Sequence, residues 1–130
     1  MSNVQIPKKK YDLEERTAKF GENIIEFAQK IPKTIITIPL ISQLVRAGTS
    51  VGSNYCEADC AESRKDFEHK LGISKKEAKE SKHWLRMIVK AEPNMKQEAT
   101  LLWKEANELQ LIFISIIKKS RANQTKNLEI

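Results

Sequence analysis

The sequence predicts an all-α protein folded as an antiparallel up-down-up-down four-helix bundle. The chain has only four Gly and four Pro in 130 residues and is rich in Lys, Glu, Leu and Ile, a composition that favours helices. Four stretches carry apolar residues at alternating steps of three and four, the spacing of helices in a left-handed bundle. Because the connections between these stretches are short, consecutive helices are expected to be antiparallel neighbours within one domain.

The first helix is predicted over residues 12–31, after a flexible basic arm at residues 1–10. Asp12 and Glu15 form a D-x-x-E capping signal at its start, and Pro32 ends it. Its inward side is predicted to consist of Leu13, Thr17, Phe20, Ile24, Phe27 and Ile31. Pro39 fits the first turn of the next helix, with Thr37 or Ile38 as its cap.

The second helix, predicted over residues 38–58, has two unlike faces. One face combines apolar side chains with Gly48 and Gly52, and these small residues predict a close neighbouring helix. Opposite it runs a polar stripe made of Gln43, Arg46, Ser50, Asn54 and Glu57. Two interpretations of this stripe stay open: an ordinary solvated face, or a partly buried network joining Arg46 to Glu57 that fixes how copies of the protein meet.

The third and fourth helices are predicted over residues 63–91 and 95–119. Ser63 with Asp66, and Asn94 with Gln97, supply capping signals. Small residues in the middle of the third helix (Ser74, Ala78, Ser81) match the small face of the second, so these two helices are expected to be the closest pair. The fourth helix is predicted to bury Met95, Ala99, Leu102, Ala106, Leu109, Phe113 and Ile116, and residues 120–130 are predicted to be a flexible tail.

The fourth helix has more apolar residues than one bundle can bury. Such a surplus on a surface usually marks an interface. The sequence therefore predicts a homo-oligomer whose interface includes Leu101, Trp103, Leu111, Ile112 and Ile114.

Positive charge is concentrated on the third helix. The chain has a net charge of +6 and a pI near 9.3, and steps of three and four place five cations in one row, here called the basic stripe: Lys75, Lys79, Lys82, Arg86 and Lys90. Such a row can follow the phosphates of RNA or DNA. The alternative is a solvated flank whose lysine stems cover the edge of the core.

The sequence contains no recognised catalytic motif, and we expect no enzyme activity, no metal and no cofactor. Glu80 and His83 form an isolated E-x-x-H without a second copy, and Cys56, Cys60, His69 and His83 lack zinc spacing, so we expect two reduced, packed thiols. No apolar run reaches the 18 or so residues of a membrane span, and there is no secretory signal. A cytoplasmic protein without membrane contact is expected.

The polar stripe carries a resemblance to a known family. Gln43-x-x-Arg46-Ala47, then Ser50-Val51, then Asn54-Tyr55-Cys56-Glu57 resemble the central motif of the four helix bundle protein family, and helix 3 from Asp66 to Arg86 also fits it. The family includes proteins encoded by intervening sequences in bacterial 23S ribosomal RNA genes. This sequence departs from the family pattern at Ala58, where the family has Gly.

The resemblance extends to the accessory variability determinant of diversity-generating retroelements. It implies a homopentamer that binds nucleic acid and a reverse transcriptase. Together with the basic stripe, it predicts a non-enzymatic homo-oligomer that binds RNA or DNA electrostatically, as an accessory factor to a retroelement or an rRNA-associated element. The alternative is a protein-interaction adaptor whose charge serves only solubility.

Overall fold

Four α-helices make up the protein in the computed structural model, which describes residues 12–128, with side chains as far as residue 124. They are α1 (Leu13–Gln29), α2 (Thr37–Asp59), α3 (Arg64–Ala91) and α4 (Lys96–Leu128), and a 3-10 turn at Pro93–Met95 precedes α4. Between residues 12 and 128 there is no strand, so the all-α prediction is confirmed. The prediction of a basic arm at residues 1–10 lies outside the described residues.

Contacts between helices give the direction of each one. Each helix packs against the next along the chain, and α1 also packs against α4. In every neighbouring pair, residues late in one helix touch residues early in the other, so all four pairs are antiparallel, as predicted. The touching pairs are Thr17 with Gly52 and Ile24 with Gly48, Glu57 with Lys70 and Arg46 with Glu77, Arg64 with Ser120 and Lys82 with Asn107, and Arg16 with Glu105 and Lys30 with Glu98.

The predicted inward positions form the core. All six side chains predicted to face inward from the first helix are buried, and so are the small residues Ser74, Ala78 and Ser81 of α3. On α4 the last buried apolar side chain is Ile117 instead of Ile116, which packs half-buried against the core. The inward positions of α4 are predicted from a strict seven-residue repeat. A straight helix rotates by about 20° per heptad relative to such a repeat, so after three heptads the next residue along the chain faces the core instead.

The small residues of α2 serve two different neighbours. Helices α2 and α3 make the most extensive backbone approach in the bundle, as predicted, and Ser74 of α3 donates a hydrogen bond of 3.0 Å to the carbonyl of Val51. Gly48 and Gly52, however, face α1: a methyl group at Gly48 would lie 2.8 Å from Cγ1 of Ile24. The prediction that the glycines match the small seam of α3 is therefore wrong.

Capping explains where the helices begin. The side chains of Asp12 and Ser63 accept hydrogen bonds from the backbone N–H groups of Glu15 and Asp66, as predicted. At α2 the prediction of Thr37 or Ile38 as the cap is wrong, because the N-cap is Ile36, whose side chain makes no capping bond. The hydroxyl of Thr34, two residues earlier, accepts a hydrogen bond from the N–H of Thr37 at 3.0 Å. Asn94 does not cap α4, because it lies inside the 3-10 turn that precedes the helix.

Helix α4 is longer than the sequence predicts. Instead of giving way to a flexible tail at residue 120, it continues to Leu128. No Gly or Pro interrupts residues 118–128, and α3 anchors the extension: Arg64 donates to the carbonyl of Ser120 at 2.9 Å, and the Ser120 hydroxyl donates to Glu68.

Candidate nucleic-acid interface

The basic stripe lies on the flank of α3 that faces α4. Lys79, Arg86 and Lys90 are exposed, while Lys75 and Lys82 are half-buried. Among residues 12–124, no carboxylate lies within 4.0 Å of the charged nitrogens of these five side chains. The predicted row of cations is thus present, and no described ion pair neutralises it.

Lys82 is the member of the stripe that also joins two helices. Its ammonium donates a hydrogen bond of 2.8 Å to Oδ1 of Asn107 on α4. The same nitrogen lies 4.8 Å from the centroid of the Trp103 ring, within the range of a cation–π contact. Sequence reasoning missed this contact, because the register between α3 and α4 decides which residues of the two helices meet.

Two acidic side chains of α3, Glu77 and Glu80, are bound on its other side, the side that faces α2. Arg46 of α2 donates to both carboxylate oxygens of Glu77 at 3.3 Å and to Glu80 at 3.0 Å. Glu77 is buried, with 8% of its side chain exposed, whereas 48% of the Arg46 side chain is exposed. The hydrogen bond that Arg46 donates to Glu77 is the main cause that raises the pKa of Arg46, which stays charged. On the α4-facing side Glu68 bonds to Ser120, nearer the start of α3 than the basic stripe. From residue 75 to residue 90 the described ion pairs of α3 therefore lie on the α2 side, away from the basic stripe.

The polar stripe of α2 is a set of contacts to α3 and to its own backbone. Arg46 bonds to α3 instead of forming a network with Glu57, and Glu57 accepts from Lys70 at 2.6 Å. The hydroxyl of Ser50 and the amide of Asn54 donate to carbonyls one turn earlier, and Gln43 is exposed. The hypothesis of a direct Arg46–Glu57 network is wrong, since both side chains have nearer partners on α3.

The five apolar residues assigned to an oligomer interface do not form one patch. Leu101 lines a groove with α1, and Leu111 and Ile112 line another with Leu13 and Tyr55. Trp103 lies on the opposite flank, beside α3. Leu101, Trp103 and Leu111 are exposed, whereas Ile112 and Ile114 are half-buried.

A second group of exposed apolar side chains was not predicted. Ile35, Ile36 and Ile38 lie in and just after the α1–α2 connection, and Ile35 is 88% exposed. The β-branched run at residues 32–38 was the only signal in the sequence, and it does not distinguish buried from exposed residues.

The paired cysteines, metal ligands and membrane spans considered from the sequence do not come together in the described residues. Within the described part of the chain, no group of three or more His, Cys, Asp or Glu residues is placed to hold a metal ion. Cys56 and Cys60 are unpaired and are exposed instead of packed. Desolvation raises the pKa of the Cys56 thiol, which lowers the fraction present as the reactive thiolate. None of the helices in residues 12–128 has the length and apolar character needed to cross a membrane.

Comparison with known proteins places this geometry in a family. The sequence model of the 23S rRNA-intervening sequence protein family matches residues 9–115. A solved structure from Bacteroides thetaiotaomicron VPI-5482, described as a protein of unknown function from the S23 ribosomal protein family, is 29% identical in sequence. It superimposes with a TM-score of 0.73 over 82% of this chain and 98% of its own. A search of curated proteins finds no match.

Proposed function

This chain belongs to the 23S rRNA-intervening sequence protein family, and we propose that it is a non-enzymatic, homo-oligomeric helical bundle that binds RNA or DNA through its basic stripe. The observation that carries the proposal is the separation of charge around α3 between residues 75 and 90. Glu77 and Glu80 are held by Arg46 on the α2 side. The cations on the α4 side have no described carboxylate partner, so they are available to phosphates.

Electrostatic binding fits the chemistry of this surface. Lysine and arginine side chains on one helix flank contact the phosphate backbone without reading base edges in a groove. The nonenzymatic part of the proposal rests on the absence of catalytic motifs in the sequence. The wider role, as an accessory factor to a retroelement or an rRNA-associated element with a reverse transcriptase as partner, rests on the family resemblance alone.

Self-association is the second part of the proposal. Leu101 and Leu111 of α4 are 65% and 56% exposed, and exposed apolar side chains favour contact with another surface. The resemblance implies that five copies assemble. Repetition of the basic stripe around a ring would present several rows of cations to one nucleic acid, and the rows would reinforce each other's binding.

A salt titration tests the nucleic-acid proposal. We expect the logarithm of the binding constant to fall linearly with the logarithm of salt concentration, by about 0.9 per phosphate contacted on duplex DNA and about 0.7 on a single strand. Replacing Lys75, Lys79 and Lys90 with Gln removes up to three phosphate contacts, so the slope should become shallower by up to about three times the value per contact. Lys82 is left in place because it bonds to Asn107.

The matched control replaces Lys19, Lys33 and Lys104 with Gln. These lysines are exposed on other parts of the bundle, and the change in net charge is the same. The control triple should retain the wild-type slope. If the two triple variants have equal slopes, the basic stripe is not part of the binding surface. If the wild type does not bind nucleic acid at low salt, the proposal is contradicted.

The alternative is a protein-interaction adaptor. Exposed Ile35, Ile36 and Ile38 favour it, because they offer an apolar surface at one end of the bundle without using the charge on α3. An adaptor would bind its partner independently of salt, and the Gln triple would leave that binding unchanged.

A further inference from the structure

A small cleft opens between α3 and α4 beside the basic stripe. Its volume is about 240 Å³, below the roughly 300 Å³ at the lower end of small-molecule pockets, so it suits a single ring-sized group. Buried Leu85 and Ala99 make an apolar floor, and Trp103, which is 41% exposed, forms part of the wall. The complete lining is Leu85, Arg86, Val89, Lys96, Ala99, Thr100 and Trp103.

Positive charge borders this cleft from both helices. Arg86 comes from α3 and Lys96 from α4, and Lys82 lies over the Trp103 ring at 4.8 Å from its centroid. No acidic residue lines the cleft, and in the region from residue 12 to residue 124 no carboxylate lies within 4.0 Å of the charged nitrogens of Arg86 or Lys96. The cleft therefore matches an occupant with a flat apolar part and a nearby negative charge.

We infer that this cleft receives one unstacked base of a single-stranded nucleic acid, which packs against Trp103 while the adjoining phosphates contact Arg86 and Lys96. The inference rests on the proposed function and adds a preference for single strands. In a duplex the bases are stacked and paired, so only an unpaired base can enter the cleft. Aromatic side chains accept every base through its π-face, so the preference is for unpaired structure and does not specify sequence.

The probe is a pair of strands of equal length and charge, one a random oligonucleotide and the other an abasic sugar–phosphate strand. Replacing Trp103 with Ala should weaken binding of the base-bearing strand by about 5- to 150-fold, the range for loss of one base–aromatic contact. Binding of the abasic strand should not change. Trp103→Phe keeps an aromatic ring and should retain most of the affinity.

The matched control is Ile25→Ala, which removes an apolar side chain of similar exposure on α1. It should leave binding of both strands unchanged, and a thermal melt followed by circular dichroism checks that each variant is folded. If Trp103→Ala binds both strands as the wild type does, the cleft holds no base, although salt-dependent binding would still stand. If the wild type binds neither strand at low salt, the proposed function itself fails and the inference falls with it.

Discussion

Glu77 shows how one residue decides the distribution of charge on α3. Its carboxylate is buried between α2 and α3, where Arg46 binds both oxygens. The sequence placed Arg46 on a stripe with Glu57 but could not reveal its partner on α3, because that partner depends on the α2–α3 register. A substitution of Glu57 is therefore not expected to leave Arg46 uncompensated.

Replacing Glu77 with Ala should lower the free energy of unfolding by about 1–2 kcal/mol. Hydrogen bonds to charged groups contribute about 1.5–3 kcal/mol, and we reduce this range because Arg46 is half exposed and keeps Glu80 as a partner. Glu57→Ala is the matched control: it removes an exposed carboxylate and should leave the urea midpoint unchanged. Equal shifts of the midpoint in the two variants would contradict the role given to Glu77.

At the scale of elements, the sequence predicts the features that depend on residues close together in the chain, which are most of the helix positions and their inward faces. Capping signals at Asp12 and Ser63 and the four apolar seams locate the helices. The end of α4 could not be predicted, because Arg64 and Glu68 of α3 anchor the extension through contacts at Ser120. The neighbour of the α2 glycines could not be predicted either, since their broad small face fits either α1 or α3.

The packing of α1 on α2 predicts opposite effects for one substitution at two glycines. A methyl group at Gly48 would lie 2.8 Å and 2.9 Å from the Ile24 side chain, whereas at Gly72 of α3 it would meet nothing within 4 Å. Gly72→Ala should therefore stabilise the protein by about 0.5–1 kcal/mol, through helix propensity alone.

Gly48→Ala makes the same change in the unfolded chain but overpacks the α1–α2 contact, at a cost of about 1–3 kcal/mol. This cost should exceed the propensity gain and leave a net destabilisation. Denaturant unfolding of both variants measures the difference. A Gly48→Ala variant as stable as Gly72→Ala would show that α1 does not pack closely on α2 at this point.

The whole molecule combines a predictable bundle with a surface that depends on helix register. The basic stripe could be read from the steps of three and four along α3, but the cleft beside it could not. That cleft brings Trp103 and Lys96 of α4 next to Arg86 of α3. The spacing of residues within one helix does not show which residues of a second helix lie beside it. The apolar surplus of α4 was evident in the sequence, yet the structure distributes it over both flanks of the helix.

The central claim is that copies of this bundle assemble and bind nucleic acid by charge. Light scattering at micromolar concentration, on the protein alone and with a short random single strand, tests both parts in one measurement. We predict that the protein alone has a mass of at least twice 14.9 kDa. The mass should increase when the strand is added at low salt, and this increase should be lost at high salt. A clean 14.9 kDa monomer would contradict self-association, and a mass unchanged by the strand at low salt would contradict nucleic-acid binding.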